Sequence, residues 1–225
     1  MSIRGLDVSY CQEGIKWDAV KDYAYQFIII RAGNDMKNRY DTLFEDNIKE
    51  CIKRGFDIGI YWHALACTPD QAATEARWCI EKINAWRDHI TLPVYYDLEV
   101  ANVLYQPNVS EIVDAFRSVI KENGFRTGLY CSTGWITMIK QDVIDKFESV
   151  WIAEWGNKCT YKGSYDIWQN GRTPTFGGTA ADEDIMVRDI IENRQYMRDL
   201  QPLREGVELI RKTSERLEKL LSEGK

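Results

Sequence analysis

The sequence predicts an eight-stranded α/β barrel with an irregular final third. Three observations lead there. Eight short β-rich runs recur along the chain. Amphipathic helical patterns separate the early runs, an alternation that makes parallel strands. The late runs follow one another too closely for a helix to fit between each pair.

The first run is GLDVS (5–9) and the second is FIIIRAG (27–33). TLFEDNIKECIKR (42–54) then places Phe44, Ile48, Cys51 and Ile52 on one helical face. The third run is DIGIYWHAL (57–65), and DQAATEARWCIEKINAW (70–86) follows with Ala72, Ala76, Cys79 and Ile83 on one face. After the fourth run, PVYYDLE (93–99), VSEIVDAFRSVIKEN (109–123) reads as a helix with Ser110 as its N-cap and Gly124 just past its end. TGLYCS (127–132), VWIAEW (150–155), SYDIWQ (164–169) and EDIMV (183–187) complete the eight.

An internal echo supports repeated αβ units. GFDIGIY (55–61) and GFRTGLY (124–130) share the pattern G-F-x-x-G-[IL]-Y, each after an amphipathic helix. The physical sense is a helix stopped by glycine, a tight turn and a buried strand. Eight residues separate the sixth run from the seventh, and about a dozen separate the seventh from the eighth. Some of the late strands are therefore expected to run antiparallel.

Composition narrows the function. The chain has 225 residues, 44% hydrophobic and 28% charged, as a soluble globular protein would. A net charge of −6 offers no footprint for nucleic acid or for an anionic membrane. No apolar run reaches the length of a membrane-spanning helix. The opening MSIRGLDVSY lacks an apolar core, so no signal peptide is expected and synthesis in the cytoplasm is. Six cysteines (Cys11, Cys51, Cys67, Cys79, Cys131, Cys159) include no C-x-x-C pair, and there are two histidines, His63 and His89. That donor set predicts no zinc site and reduced, packed thiols.

The stretch LPVYYDLEV (92–100) carries the chemistry. Strand side chains alternate, so Tyr95, Asp97 and Glu99 share one face, with Val94, Tyr96 and Leu98 on the other. The Cα atoms of Asp97 and Glu99 are then about 6.5–7 Å apart. Like charges at that distance resist joint ionisation. In an α/β barrel the working residues sit at the C-terminal ends of strands, where Asp7 and Asp184 are expected to join them. Paired carboxylates without metal ligands suit glycoside hydrolysis, one acid protonating the leaving oxygen and the other stabilising the oxocarbenium-like centre. Tyr61, Trp62, Tyr130, Trp151, Trp155 and Trp168 lie at strand ends, where aromatic faces can stack on sugar rings.

These motifs together resemble the glycoside hydrolase family 25 lysozymes of the Chalaropsis type. GLDVSYCQEGIKW, FIIIRAG, DIGIY, LPVYYDLE, VWIAEW and YDIWQ occur in the family's order between about residues 4 and 190. The resemblance implies an irregular TIM-like (β/α)5(β)3 barrel. It also implies an N-acetylmuramidase that needs no cofactor and cuts the β-1,4 bond between N-acetylmuramic acid and N-acetylglucosamine in bacterial cell-wall peptidoglycan. Carried over by position, Glu99 is the general acid, Asp97 its companion, Asp7 the acid of the first strand and Asp184 the acid near the eighth; Asp7, Asp184 and the strand-end Tyr61, Trp62, Tyr130, Trp155 and Trp168 are expected to bind substrate. Asp97 either attacks directly or orients the substrate's N-acetyl group.

The match has departures. Tyr61-Trp62-His63 stands where the family often has Tyr-His-Phe, and His63 reads as a satisfied core histidine. Asp184-Ile185-Met186 replaces Asp-x-Asn, and methionine cannot make asparagine's hydrogen bonds. A chitinase-like reading needs acids at Pro93 and Tyr95 and is disfavoured; a non-catalytic glycan binder on the same barrel is the other alternative. Residues 1–195 are assigned to the barrel and 196–225 to a C-terminal helix. There Leu203, Val207, Ile210, Ser214, Leu217 and Leu221 form a heptad-like seam, expected to dock on the barrel of a monomer, with self-association as the alternative. The wall is reached after release or secretion.

Overall fold

The computed structural model describes residues 3–34 and 39–191, and in the C-terminal segment residues 206, 210, 211, 213, 214 and 216. The chain forms two compact units, Met1–Ile190 and Ile191–Lys225. In the second unit the described residues from 206 onward are helical. Leu203, Val207, Leu217 and Leu221 of the seam lie outside the described residues.

The first unit runs β1 (Ile3–Val8), α1 (Trp17–Asp22), β2 (Phe27–Asn34), α2 (Phe44–Arg54), β3 (Asp57–His63), α3 (Pro69–Ile83) and β4 (Ile90–Leu98). It continues with α4 (Ala101–Leu104), α5 (Val109–Glu122), β5 (Thr127–Ser132), α6 (Gln141–Ile144), β6 (Ser149–Ala153) and β7 (Ile167–Gln169). A small hairpin, β8 (Thr175–Phe176) and β9 (Thr179–Ala180), precedes β10 (Asp182–Met186).

Eight of these strands close a barrel in the order β1-β10-β7-β6-β5-β4-β3-β2. Neighbours are parallel from β1 through β7, and β10 runs antiparallel to both β1 and β7. The irregular last third thus follows from short connections: α6 spans four residues, and no helix lies between β6 and β7. Helix α1, the two four-residue helices and the β8–β9 hairpin carry too few periodic apolar residues to stand out in the sequence.

The long helices bury the predicted faces. Phe44, Ile48 and Cys51 of α2 pack inward, as do Ala72, Ala76, Cys79 and Ile83 of α3. Gly55 and Gly124 end α2 and α5 with φ of 66° and 76°, the left-handed geometry that the G-F-x-x-G echo anticipates. Ser110 is not the cap of α5. It lies in the first turn, buried, and its hydroxyl accepts the backbone N–H of Lys140 at 2.9 Å, while Asn108 occupies the cap position. The seventh strand is shorter than predicted, Ile167–Gln169, and just before it Asp166 bonds to Val150 twice, its N–H donating to the Val150 carbonyl at 2.8 Å and its carboxylate accepting the Val150 N–H at 3.2 Å.

Two apolar layers result. The outer one lies between helices and barrel, where Tyr96 stacks on Phe116 of α5 with ring centroids 4.0 Å apart. The inner one fills the barrel. Trp151 sits there with Tyr130, Tyr95 and Tyr61 at 4.4, 5.5 and 6.2 Å between centroids. Gly128 of β5 admits the Tyr95 ring, since a Cβ at that position would stand 2.2 Å from it. This aromatic plug is the floor of the site.

Candidate active site

Strand alternation decides which side chains rise through the barrel. On β4, Tyr95 and Asp97 face inward, and Glu99 stands just beyond the strand's last residue, Leu98. On β3 the inward residues are Tyr61 and His63. Asp7 comes from β1, Tyr130 from β5, and Gln169 from β7. Polar groups therefore collect above an aromatic floor at the C-terminal end of the parallel strands.

Asp97 is 4% exposed, and His63 Nδ1 lies 3.1 Å from its Oδ2. The same Nδ1 is 3.4 Å from Glu99 Oε1. Glu99 is the open member, its side chain 50% exposed. The negative charge of Asp97, and then partial burial, raise the Glu99 carboxyl to about 7, against the opposing pull of His63 and Arg31. Burial disfavours the charged form of His63, but the bond to Asp97 and the charges of both acids outweigh it and raise the imidazole above its ordinary value. Asp97 Oδ1 is buried with no hydrogen-bond partner among the described residues.

These three donors lie within 4.8 Å of one another, types that a divalent cation also accepts. The Nδ1–Oδ2 line already has hydrogen-bond length, so the cluster reads as groups sharing protons.

A second polar layer lies beside them. Gln169 Nε2 donates to Asp7 Oδ2 at 2.8 Å, and Tyr130 donates to Gln169 Oε1 at 2.8 Å. Burial first, then the charge of Asp182, pushes Asp7 well above the usual carboxylate range. Asp184, fully buried, accepts Trp151 Nε1–H at 2.8 Å, and burial followed by the charge of Asp7 raises it strongly as well.

The predicted residues separate into two groups. Asp7, Asp97, Glu99, Tyr61 and Tyr130 converge on the mouth, and Trp155 stands just past β6 with 78% of its surface exposed. Asp184 lies deeper, paired with Gly5, whereas the acid beside Asp7 at the rim is Asp182. Trp62 and Trp168 belong elsewhere. Trp62 is fully buried in the outer layer because it alternates with inward Tyr61 and His63. Trp168 alternates with inward Gln169, packs on the same outer layer and donates its Nε1–H to the Glu154 carbonyl at 2.7 Å. Neither ring is presented to the mouth.

Sequence reasoning missed Asp182 and Gln169, named Trp151 only as one of several strand-end aromatics, and placed His63 in the core. A period of two was the available signal: Asp182 is two residues before Asp184, and His63 two after Tyr61.

The family model for glycosyl hydrolases family 25 matches residues 6–179. Lysozyme M1 of Streptomyces globisporus is 24% identical over 196 residues, a match covering 81% of this chain and 66% of that protein. The chain thus spans just under two thirds of that curated relative. The catalytic domain of endolysin ply40 from bacteriophage P40 of Listeria monocytogenes superposes with a TM-score of 0.73 at 24% identity, covering 84% of this chain and 95% of that one. The modular autolysin LytC of Streptococcus pneumoniae, solved with a synthetic peptidoglycan ligand, gives a TM-score of 0.67 at 21% identity, covering 82% of this chain and 46% of that one.

Proposed function

Because this chain belongs to glycosyl hydrolases family 25, we propose that it is a peptidoglycan-cleaving muramidase. It hydrolyses the β-1,4 bond between N-acetylmuramic acid and N-acetylglucosamine, with Glu99 as general acid and Asp97 as companion carboxylate. The observation that carries this reading is the Glu99 carboxyl. It is half-exposed at the barrel mouth and raised to about 7, so it holds a proton at mildly acidic pH where an ordinary glutamate would not. The lysozyme and endolysin relatives, and the peptidoglycan ligand of LytC, support the substrate class.

The reaction follows from the arrangement. Glu99 gives its proton to the glycosidic oxygen as the bond breaks. Asp97, buried and held at Oδ2 by His63, faces the positive charge that develops at the anomeric carbon. Oxygens of Asp97 and Glu99 lie within 4.8 Å, short of the roughly 6.5–9.5 Å that leaves room for a water in inverting enzymes. Retention of configuration is the outcome this spacing supports. Asp97, or the substrate's N-acetyl oxygen oriented by it, bonds to the anomeric carbon as the leaving group departs; water then displaces it from the opposite face and gives its proton to Glu99.

Tyr61 and Tyr130 offer aromatic surface at the floor of the mouth and Trp155 an outer stacking face, with Asp7 and Asp184 as hydrogen-bonding acids beside that floor. In this reading the working form is a monomer. No helix among the described residues is long and apolar enough to cross a membrane, and the protein acts on the wall itself.

Digestion of purified peptidoglycan, followed by borohydride reduction and mass spectrometry of the released fragments, tests the assignment. Fragments ending in reduced N-acetylmuramic acid are expected. Fragments ending in reduced N-acetylglucosamine, or no release at all, would overturn it.

A further inference from the structure

The groups that could act on the Asp97–Glu99 pair come from several strands. Asp7 approaches from β1 and Asp182 from β10, both acids. Arg31 of β2 is a cation, but its Nε donates to Asp41 Oδ2 at 2.8 Å and its guanidinium lies 4.5 Å from the Tyr10 ring centroid. His63 of β3 is different. One nitrogen, Nδ1, stands 3.1 Å from Asp97 Oδ2 and 3.4 Å from Glu99 Oε1, with a side chain 20% exposed.

We infer that His63 is a positioning residue of the reaction: its Nδ1–H fixes the Asp97 carboxylate, and its imidazolium sets the charge of the Asp97–Glu99 pair. This inference rests on the glycosidase reading above. A buried carboxylate with one oxygen lacking a hydrogen-bond partner among the described residues needs the other oxygen anchored, and Nδ1 anchors it. The charge argument follows from distance. A cation beside two carboxylates favours their ionised forms, so it keeps Glu99 from rising as far as Asp97 alone would drive it. Glu99 can then both give up its proton and recover it near neutral pH.

Two variants separate the two roles. His63→Phe removes the donor and the charge; His63→Asn keeps a neutral donor near the Nδ1 position and removes only the charge. In His63→Phe, kcat should fall about 10- to 100-fold from misplacement of Asp97, with KM little changed. The basic limb of the pH–rate profile should move to higher pH in both variants. The sign follows because losing a positive neighbour raises Glu99, and activity requires its protonated form. His63→Asn should recover most of kcat while keeping the displaced limb. A folded His63→Phe enzyme with unchanged kcat and an unchanged limb, or a limb moved to lower pH, would overturn the inference.

A measurement without turnover keeps this test apart from the muramidase assignment. The chain has two histidines, His63 and His89, so their imidazole signals can be followed individually by NMR. His63 should titrate above the ordinary histidine value, and Glu99→Gln should lower that midpoint by removing a negative neighbour. A His63 midpoint that ignores Glu99→Gln would overturn the pairing. A wild-type protein that shows the coupling yet leaves walls intact would overturn the muramidase assignment instead.

Discussion

Asp7 and Asp182 are register partners across the antiparallel β1–β10 pair, so two carboxyls stand side by side at the barrel rim. The charge of Asp182 raises both Asp7 and Glu99. Asp182→Asn should therefore lower Glu99 and move the basic limb of the pH–rate profile to lower pH. A limb that moves upward would contradict the electrostatic link between the closing strand and the acid.

Asp97→Asn should move the same limb in the same direction and further, because the Asp97 charge is the largest cause raising Glu99. Activity should fall sharply as well, since the anomeric charge loses its counter-charge. The residual rate of the variant, measured across pH, reads both effects. A shift smaller than that of Asp182→Asn would refute the ranking.

Glu99→Gln should lower kcat by about 10²–10⁴-fold, the usual weight of general acid–base catalysis. In the wild type, activity should decline as pH rises through about 7, where Glu99 loses its proton. Thermal melting should be nearly unchanged because the side chain is half-exposed. Wild-type turnover by the Gln variant would remove Glu99 from the acid role.

Trp155 and Trp62 should respond in opposite ways. Trp155→Ala deletes an exposed ring past β6 and should raise KM with little loss of stability. Trp62→Ala leaves a cavity in the outer layer and should cost about 3–5 kcal/mol of stability. Denaturant unfolding and saturation kinetics on both variants decide this; a Trp62 variant that is stable but binds poorly would reverse the assignment of faces.

The first-formed product should keep the substrate's β configuration, given the close approach of Asp97 and Glu99. Proton NMR of a short synthetic substrate, recorded before mutarotation, reads the anomer directly. An initial α product would mean that a water attacks from the opposite face and that the two acids separate in solution.

Local periodicity carried most of the architecture. Strand runs, helical faces and the glycine-stopped echo are short-range patterns, and burial of those faces dictates a closed α/β barrel. The same alternation put Asp97 and Glu99 together, since residues two apart on a strand must share a face. Long-range pairing decided the rest. Alternation says that Trp62 opposes Tyr61 and His63, but only closure of the barrel shows which side is the interior. The antiparallel register of β10 set Asp182 directly opposite Asp7 at the rim and Asp184 deeper, opposite Gly5, where its carboxyl still meets that of Asp7. His63 met Asp97 because β3 pairs with β4 residue for residue at that level, a contact between positions 34 apart that no local pattern encodes.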